Sequence, residues 1–335
     1  MQTKGENQGG PDSVWYHRVV RFPVGLPTDR RPFDAVAFGL NTTDLLAVVP
    51  SHPEPGAKIP VLDLASLPGG QAATAMTAVS RLGLSARYVG RFGDDPNGQA
   101  GRQRLERDGV DVGACETVVG ATNALSLVLV EQHSGQRTVL WSRHRGLAYR
   151  PGDVPAAAVQ SGRVLLVDSH DTEAATTAAQ LAHAVGLPTV VDIEHVRPGT
   201  DALLSEIDVI VTAREFPESF TGKKGLGQAL RELQNRHPAP IVCTTLGEDG
   251  SLALVGGVEF RTPGFAVDVV DTTGAGDVFR GGLIAGWSIG GDAVSVEDVL
   301  RYANAVAALK CRALGAREGI PTRREVDALL RGDRM

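Results

Sequence analysis

The sequence predicts an α/β fold, in which a doubly wound, mainly parallel sheet is flanked by helices and carries a small β-sheet lid. Between about residues 164 and 244, short β-branched runs alternate with helical patterns, which is typical of parallel strands covered on both faces. Residues 125–141 interrupt this alternation with two apolar runs around a short polar turn, which predicts a hairpin. The glycine-rich segment 274–282 leads directly into a long helix. The alternation therefore predicts the main sheet, and the hairpin predicts the lid.

The predicted domain organisation is one main domain over residues 34–330. A chain of 335 residues can bury a full hydrophobic core. Residues 1–33 are rich in Gly, Pro, Gln and Arg, so we expect a flexible N-terminal extension there. The lid is expected to combine about 45–66 with 114–145, two segments in which strands follow one another without the helix that a parallel crossover needs.

Composition and charge argue against several classes of function. The net charge is −6, whereas a nucleic-acid-binding domain is expected to carry a basic face. No apolar run approaches the ~18 residues of a membrane span, and the polar start of the chain lacks the apolar core of a signal peptide. The 3 cysteines, Cys115, Cys243 and Cys311, fit no disulfide framework. We therefore expect a cytoplasmic protein that binds neither nucleic acid nor membrane.

In the first half of the chain, β-branched runs predict strands and an alanine-rich run predicts a helix. The first strand ends at Gly39, and its exit carries Asp44, which predicts a carboxylate at the ligand-binding edge of a sheet. The alanine-rich helix follows Gly69-Gly70, and Pro96 marks the start of a second helix. The predicted strands are 35–38, 45–49, 59–64, 86–92, 125–131 and 137–141, and the predicted helices are the alanine-rich one, which runs to about residue 82, and one ending near residue 108.

In the second half, strands and helices alternate regularly until a final hairpin. The strands are rich in Val and Ile, and the helices carry apolar residues at helical spacing. The predicted strands are 164–168, 189–193, 208–212, 241–244, 251–255, 258–261 and 267–270, and the predicted helices are 173–185, 225–235, one that follows Gly276, 296–311 and 323–330.

The stretch Val267–Gly282 carries the strongest chemical signal. It begins with the β-branched run VDVV, passes through DTTGAGD and continues as an apolar helix. The unpaired N–H groups at a helix start bind anions, and glycines let a phosphate approach the backbone closely. Asp277 places a carboxylate at this point, where it could act as a base beside a transferred phosphoryl group or could simply cap the helix. On these residues alone both roles stay open.

Five stretches together resemble the ribokinase-like (PfkB) carbohydrate kinases over nearly the whole of residues 34–330. They are, in order, Gly39–Asp44, the Gly69-Gly70 pair with its alanine-rich helix and Gly90–Asp95, Thr212-Ala213-Arg214-Glu215, Thr244-Thr245-Leu246-Gly247, and DTTGAGDVFRGG at 271–282. An ordered set of this kind is far more specific than one short motif. The resemblance implies an ATP-dependent kinase that uses Mg²⁺, and in some relatives K⁺, to phosphorylate a primary hydroxyl of a sugar or sugar derivative.

The resemblance also implies roles for individual residues. Asp277 is the implied base, and Gly274, Ala275 and Gly276 form the implied anion hole with it. The implied substrate-binding residues are Asp44, Gly69, Gly70 and Thr74. The implied nucleotide-binding residues are Thr212, Glu215, Thr245, Gly247 and Asn304. Glu215 would hold Mg²⁺ through water, and Asp271 with Thr273 would bind K⁺. Two positions depart from the family pattern, because Thr74 and Thr212 stand where relatives often carry asparagine.

The sequence leaves the acceptor sugar open. Arg143, His144 and Arg145 follow the predicted hairpin, and they form either a solvated hairpin end or, through Arg143, a binding site for an anionic group. The second interpretation favours a phosphorylated, sulfonated or acidic sugar, and the stretches GGQAATA and VAALKC are similar to those of sulfofructose kinases. Phosphofructose, a keto-deoxy sugar acid, neutral fructose or ribose, and a nucleoside are the alternatives. The resemblance further implies a homodimer formed through the open strand edges of the lid.

Other classes of protein fit less well. Gly274-Ala275-Gly276 lacks the third glycine of a dinucleotide-binding fingerprint, and Gly222-Lys223-Lys224 does not match a Walker motif. The G-x-S-x-G string at 286–290 falls late in a helix rather than at a strand-to-helix turn. Clusters of Asp, Glu and His at 168–171 and 192–195 lack the helical histidine spacing of a metal site, so we interpret them as polar loops. A non-catalytic sugar or nucleotide sensor is a further alternative, against which the intact Asp277 argues.

Overall fold

A computed structural model describes residues 20–134 and 136–333 and confirms the predicted α/β class. The strands are β1 Ala35–Phe38, β2 Thr42–Val49, β3 Asp63–Gly69, β4 Ala86–Val89, β5 Arg91–Gly93, β6 Val110–Asp111, β7 Glu116–Val118, β8 Leu125–Glu131, β9 Arg137–Ser142, β10 Leu165–Asp168, β11 Thr189–Ile193, β12 Val209–Thr212, β13 Ile241–Thr245, β14 Ser251–Val255 and β15 Val258–Thr262. The α-helices are α1 Gln71–Arg81, α2 Pro96–Arg107, α3 Ala156–Val159, α4 Thr172–His183, α5 Thr200–Leu204, α6 Phe216–Thr221, α7 Leu226–Arg236, α8 Ala275–Gly290, α9 Val296–Lys310 and α10 Arg323–Arg331.

The main sheet has nine strands in the order β15-β14-β13-β12-β11-β10-β1-β4-β6. From β13 to β6 every pairing is parallel, and the β13–β14 and β14–β15 pairings are antiparallel. The chain leaves β1 towards β4 on one side and later returns to β10 on the other. This reversal lies between β1 and β10, and open α/β sheets bind ligands beyond the carboxyl ends of the strands at such a point.

The sheet is covered by helices on both faces, as strands of this composition require. Alternate residues of β1 show the two layers, because Ala35 and Ala37 join the core under α1, α8 and α9, while Val36 and Phe38 join the core under α4 and α7. The core that contains Val36 and Phe38 also contains a stripe of small residues on α4: Ala174, Ala175, Ala178, Ala179 and Ala182. Small side chains on this helix let it lie close to the sheet.

A separate four-stranded sheet forms the predicted lid, in the order β3-β2-β8-β9. Asp44 of β2 lies opposite Ser126 of β8, and Ser126 lies opposite Trp141 of β9. Side chains that are in register across neighbouring strands point to the same face. Asp44, Ser126 and Trp141 therefore share the face that lines the cleft described below.

The second lid strand differs from the prediction, because β3 covers Asp63–Gly69 rather than 59–64. Pro60 has no backbone N–H to donate to a neighbouring strand. Pairing with β2 begins only near Leu62, whose N–H donates to Val48 at 2.8 Å, and it runs to the Gly69–Thr42 pair. The strand therefore leads directly into Gly70 and α1, which brings the glycine pair next to β2.

The predicted strand 267–270 is wrong, because these residues belong to no strand. Val269 and Val270 are both 62% exposed, so their β-branched side chains are not buried in a hydrophobic core. The N–H groups of Val270 and Asp271 both donate to the carbonyl of Cys311, just beyond α9, at 2.8 and 3.1 Å. The segment before α8 is therefore a loop held by the end of a neighbouring helix.

The predicted N-terminal extension lies only partly within the described residues, since residues 1–19 fall outside them. In the described part, Phe22 is buried and its ring lies 4.8 Å from that of Trp287. The N–H of Phe22 donates to Val294 at 2.9 Å, and Leu26 is also buried. Residues 20–26 therefore pack onto the main domain instead of standing apart from it.

Helix α8 packs closely on α1, and glycine makes this approach possible. A Cβ placed on Gly281 would lie 2.6 Å from the carbonyl oxygen of Ala75 and 2.7 Å from the Cβ of Ala78. The alanine-rich sequence after Gly70 therefore serves helix packing and, through its first turn, also borders the cleft. No helix in the part of the chain that the structure describes is long and apolar enough to cross a membrane.

Candidate active site

A cleft of about 430 Å³ lies between the lid and the carboxyl edge of the main sheet. The loops after β1, β10 and β11 supply one wall, and the start of α8 supplies part of the floor. The lid contributes Asp44, Ser126, Val128, Arg137, Val139 and Trp141. A cavity of this size, with convergent polar groups beside an apolar lid, is of the kind that binds small molecules.

Asp277 lies in this cleft, in the first turn of α8, and is 8% exposed. Burial disfavours its charged form, and the neighbouring Glu194 repels it, so the pKa of Asp277 is raised from 3.8 to about 7. Arg280, one turn further along α8, opposes this rise. A buried carboxylate with a pKa near neutrality is suited to accept and release a proton.

Asp277 belongs to a group of three carboxylates with Asp192 and Glu194, whose oxygen atoms lie within 4.8 Å of one another. Asp192 is fully buried, and its Oδ1 accepts from Arg280 at 2.9 Å and from Gln71 at 3.0 Å. Burial, only partly offset by Arg280, raises the pKa of Asp192. The interpretation of residues 192–195 as a merely polar loop is therefore wrong, because β11 and the residue that follows it bring Asp192 and Glu194 to the carboxylate of Asp277.

The start of α8 offers backbone donors to the cleft. Gly274 adopts a left-handed conformation with φ of 74°, and a Cβ there would lie 2.7 Å from that of Ala316. Among the described residues, the N–H groups of Gly276 and Asp277 have no acceptor outside the helix, as expected for a first helical turn. These groups and the positive end of the helix lie where the sequence predicted an anion hole.

Asp271 fixes the loop that leads into this anion hole. Its Oδ1 accepts from the N–H and the hydroxyl of Thr273 at 2.9 and 2.8 Å, and its Oδ2 accepts from the N–H of Gly315 at 2.7 Å. Burial would raise the pKa of Asp271, but these hydrogen bonds outweigh it and hold the pKa below its ordinary value. Asp271 was predicted to bind K⁺ together with Thr273, and both of its carboxylate oxygens accept hydrogen bonds from the protein.

Asp44, which the sequence predicted to bind sugar hydroxyls, lies at the lid side of the same cleft. Its Oδ1 accepts from the hydroxyl of Thr42 at 2.8 Å, and burial raises its pKa more than Thr42 and Ser126 lower it. A Cβ on Gly69 would overlap the Asp44 carboxylate, and Gly70 lines the cleft. The Gly69-Gly70 pair therefore makes room for Asp44 and leaves its carboxylate accessible.

Thr74 does not reach the cleft, although the sequence assigned it to substrate binding. It is fully buried in α1, and its hydroxyl accepts from Arg317 at 3.2 Å. Arg317 is 1% exposed, also donates to the carbonyl of Gly69, and its pKa is lowered to about 10 by burial. Thr74 therefore anchors an arginine behind the glycine pair, and sequence reasoning missed this arginine because it lies 243 residues away in the chain.

Arg143 lines the cleft, but its charge is already paired. Both terminal nitrogens donate to Asp171 at 2.7 Å, and one also donates to the carbonyl of Leu147 at 2.9 Å. Such a two-point pair with a carboxylate is among the strongest side-chain interactions. The guanidinium of Arg143 therefore shapes the cleft wall and has little charge left for a substrate anion.

Several cleft residues were not recognised in the sequence. Arg137 of β9 donates to the hydroxyl of Thr273 at 3.2 Å, so it joins the lid to the loop before the anion hole. Arg197 borders the cleft and a second pocket, and no hydrogen bond or ion pair engages its guanidinium within residues 20–134 and 136–333. His170 and His195, which the sequence suggested were parts of polar loops, line the same wall. These residues come from separate loops, and no spacing in the sequence links them.

The predicted nucleotide-binding residues lie at the ends of neighbouring parallel strands. Thr212 ends β12 and Thr245 ends β13, so both reach the carboxyl edge of the sheet, and Gly247 follows with φ of 64°. The Thr212 hydroxyl is buried without a hydrogen-bond partner among the described residues. Glu215 is exposed at the start of α6. These positions are adjacent to one another but do not line the cleft that holds Asp277.

Asn304 differs from this group because its amide nitrogen is committed to the protein. It donates to the hydroxyl of Ser251 at 3.1 Å and to the carbonyls of Thr262 and Pro263 at 3.0 and 3.3 Å. Asn304 therefore ties α9 to the β14–β15 hairpin. Only its carbonyl oxygen stays available for the nucleotide contact that the sequence predicted.

Comparisons with known proteins agree with this geometry. The model of the pfkB family carbohydrate kinases matches residues 33–323. An ATP-dependent ribose-1-phosphate kinase from Halopiger xanaduensis is 31% identical over 78% of this chain and 86% of its own length. A ribokinase from Bacillus subtilis is 25% identical over 87% of this chain and 97% of its own length.

Solved structures show the same fold. Arabidopsis thaliana ribokinase, determined with ribose and ATP, superposes with a TM-score of 0.77 and 23% identity over 89% of this chain and 98% of that one. A structure assigned to a ribokinase II from E. coli was determined with ATP and Mg²⁺. It superposes with a TM-score of 0.77 and 21% identity over 90% of this chain and 99% of that one. The two-sheet fold and the family match over residues 33–323 together lead to one conclusion: the chain belongs to the pfkB family of carbohydrate kinases.

Proposed function

We propose that the protein transfers the γ-phosphoryl group of ATP to a primary hydroxyl of a sugar or sugar derivative, with Asp277 as the base. The observation that carries this proposal is the position of Asp277, buried in the cleft beside the free N–H groups of the first turn of α8. A carboxylate whose pKa is about 7 can take the proton of the attacking hydroxyl. The adjacent backbone donors stabilise the oxygens of the phosphoryl group in flight.

The cleft orients the acceptor from the opposite side. Asp44 is half-buried on the lid face of the cleft and, once ionised, accepts hydrogen bonds from sugar hydroxyls. A sugar ring held between Asp44 and Asp277 presents one hydroxyl to the base. The reacting groups then meet in a fixed geometry instead of by random encounter. The apolar lid residues Val128, Val139 and Trp141 exclude water that could otherwise accept the phosphoryl group.

The residues near Asp277 suit Mg²⁺, which prefers oxygen ligands. The Oδ2 atom of Asp192 is buried without a hydrogen-bond partner in the described chain, and Glu194 is exposed beside it. Glu194 would hold the ion from within the cleft, and the family resemblance implies that Glu215, which lies outside the cleft lining, would hold it through water. Bound Mg²⁺ supplies charge neutralisation to the phosphates.

Replacement of Asp277 by Asn tests the proposal. We expect Asp277→Asn to lose turnover by ~10²–10⁴-fold, the usual contribution of a positioned base, while it keeps the fold and the Michaelis constant for ATP within a few-fold. Asp268→Asn, an exposed carboxylate in the loop before α8, is the matched control and should behave like wild type.

The assay uses ATP, Mg²⁺ and a panel of neutral sugars, phosphorylated and acidic sugars, and nucleosides. Near-normal activity of Asp277→Asn would remove the assignment of the base. Turnover of nucleosides alone would replace a sugar by a nucleoside as the acceptor. Tight binding of a sugar without turnover by the wild type would favour a sensor over a kinase.

A second candidate is a kinase for an anionic sugar, such as a sugar phosphate, a sugar sulfonate or a keto-deoxy sugar acid, and Arg197 is the observation that favours it. Its guanidinium lines the cleft without an acceptor among the described residues, whereas Arg143 is paired with Asp171. His170 and His195 lie on the same wall and add donors. The relative from Halopiger xanaduensis is named for a phosphorylated sugar, which agrees with this candidate.

Comparison of Arg197→Gln with Arg143→Gln tests the anionic acceptor. We expect Arg197→Gln to raise the Michaelis constant for a phosphorylated or acidic sugar by more than ~10-fold and to leave that for neutral sugars unchanged, because a charge-assisted hydrogen bond is lost. Arg143→Gln should affect all sugars alike through the unpaired Asp171. Equal effects of Arg197→Gln on charged and neutral sugars would reject the anionic candidate.

A homodimer through the lid is the assembly we propose. The lid face that turns away from the cleft carries a row of leucines, which we call the outer lid face: Leu45, Leu64, Leu127, Leu129 and Leu140. Leu64 and Leu140 are 64% and 54% exposed. β3 and β9 also present unpaired strand edges within the described residues. An apolar face with open edges is suited to a second copy of the same lid.

We keep the cytoplasm as the expected compartment. Cys115, Cys243 and Cys311 are free thiols in this structure. Burial raises the pKa of Cys115 and of Cys243 to about 12. These cysteines therefore act as small core residues rather than as reactive thiolates or partners in disulfides.

A further inference from the structure

Lys310 is a fully buried cation for which the proposed reaction has no direct use. It is the last residue of α9 and is 0% exposed. Its Nζ donates to the main-chain carbonyl of Asp271 at 2.8 Å. Burial lowers the pKa of Lys310, while Asp271 and Asp277 raise it. A buried ammonium is unfavourable without such compensation, so its position beside the loop before α8 requires an explanation.

The end of α9 holds this loop at several further points. The carbonyl of Cys311 accepts from the N–H groups of Val270 and Asp271, and the N–H of Gly315 donates to the Asp271 carboxylate. Val270 itself is largely exposed, so no apolar anchor fixes the loop. The position of residues 270–273 therefore depends on polar contacts, and Lys310 supplies the only side-chain ammonium among the contacts described.

The same loop fixes the anion hole. Asp271 accepts from the N–H and the hydroxyl of Thr273, and Gly274 follows directly as the residue before α8. A shift of Asp271 would therefore move Gly274 and the first N–H groups of α8. A misplacement of about 1 Å in such donors can cost ~10²-fold in rate.

We propose that Lys310 is a positioning residue whose ammonium serves as a built-in cation for the 271–274 loop, so that turnover does not depend on an added monovalent cation. An ammonium contacts a carbonyl oxygen in the way a bound monovalent cation would, and the nearby Asp271 favours its charged form. The expected K⁺ site is thereby replaced, since both Asp271 carboxylate oxygens and its carbonyl are already engaged. This inference rests on the proposed kinase function.

The first test compares wild-type enzyme in KCl, NaCl and tetramethylammonium chloride at equal ionic strength. We expect the same kcat and the same melting temperature in all three salts, because the cation is part of the chain. Stimulation by K⁺ of more than ~3-fold over tetramethylammonium, or a K⁺-dependent rise in melting temperature, would reveal a bound cation and overturn the proposal.

The second test removes the charge. Lys310→Ala should lose kcat by at least ~10-fold with little change in either Michaelis constant, and methylammonium or K⁺ should restore part of the loss. Lys310→Gln keeps a donor to Asp271 without the charge, so its kcat should lie between those of the wild type and Lys310→Ala. Lys224→Ala, an exposed lysine, is the control. A folded Lys310→Ala with normal kcat, or with a loss that no cation restores, would overturn the proposal.

The readouts separate this inference from the proposed function. A melting temperature that responds to K⁺ only in Lys310→Ala supports the role of Lys310 even if no sugar in the panel is phosphorylated. Normal activity of Asp277→Asn would instead remove the base and leave the salt comparison intact. If Lys310→Ala fails to fold, the wild-type salt comparison still decides the question.

Discussion

At the level of single residues, the environment of Asp277 leads to a prediction about pH. Its pKa is raised to about 7 by burial and by repulsion from Glu194. The base must be ionised to accept a proton, so kcat should rise with pH through about 7 and level off above it. Glu194→Gln removes the repelling charge, so the pKa of Asp277 should fall and the acid limb should move to lower pH by roughly half a unit to one unit.

A pH–rate profile between pH 5 and 9 measures this shift, with Glu297→Gln, an exposed residue in the first turn of α9, as the control. An acid limb that stays at the wild-type position in Glu194→Gln would mean that Glu194 does not influence the base. A limb that moves to higher pH would contradict the sign of the interaction and would point to loss of a bound cation instead.

The sequence predicted the positions of site residues that lie in local motifs. It did not predict the contacts of residues that come together only in the fold. Asp277, Gly274 and Asp44 lie in local motifs, and the structure brings all three to one cleft. Glu194 was interpreted as part of a polar loop because its role depends on a helix that starts 81 residues later, at Ala275. Arg143 was favoured from its charge alone, and its partner Asp171 became visible only in the fold.

At the level of elements, the junction between the 271–274 loop and α8 leads to a second prediction. Gly274 combines a left-handed backbone with a close neighbour, since an added Cβ would lie 2.7 Å from the Cβ of Ala316. Gly274→Ala should therefore tilt the first turn of α8 and move its N–H donors. We expect kcat to fall by ~10²-fold or more, comparable to the loss of an oxyanion donor.

Gly291 at the other end of α8 provides a matched control. It also has positive φ, 63°, but nothing lies within 4 Å of an added Cβ. Both alanine variants should lose ~1 kcal/mol of stability from backbone strain, and only Gly274→Ala should lose turnover. Steady-state kinetics and thermal melts measure the two effects. Equal kcat in both variants would refute a catalytic role for the geometry of Gly274.

Strand prediction failed at element scale where local β-propensity was not matched by a neighbour. The run 267–270 is β-branched, but the main sheet ends at β15 and offers it no partner. In contrast, 189–193 and 251–255 were predicted with their observed bounds, because their alternate residues enter the two cores of the sheet. β-propensity therefore reports burial in a sheet, and burial is decided by the whole fold.

At the level of the whole molecule, the alternation of strands and helices along the chain predicted the division into a main sheet and a lid. Parallel strands need helices between them, and the segments around β2–β3 and β8–β9 have none. The order of strands and helices did not predict the charge distribution of the cleft. That distribution depends on Asp192, Arg197 and Arg280, which reach the carboxyl edge from three separate elements or loops. The reaction class was therefore predictable, and the acceptor was not.

The proposed homodimer belongs to this scale and leads to the last prediction. Leu45, Leu127 and Leu140 lie in register across three lid strands, so the outer lid face is continuous. Leu140→Glu places a charge on this face, at its open β9 edge, where burial against a second copy would cost several kcal/mol. We expect wild-type protein to have twice the chain mass of 35.2 kDa in light scattering and Leu140→Glu to have that of one chain.

Val258→Glu is the matched control, because Val258 is 52% exposed and Leu140 is 54% exposed, and each lies in an edge strand of its sheet. This variant should stay dimeric. Since the other face of the lid lines the cleft, the monomeric Leu140→Glu protein should also have a higher Michaelis constant for sugar, with kcat less affected. Wild-type protein that has the mass of one chain at every concentration would refute the dimer and would leave the outer lid face as an unexplained apolar surface.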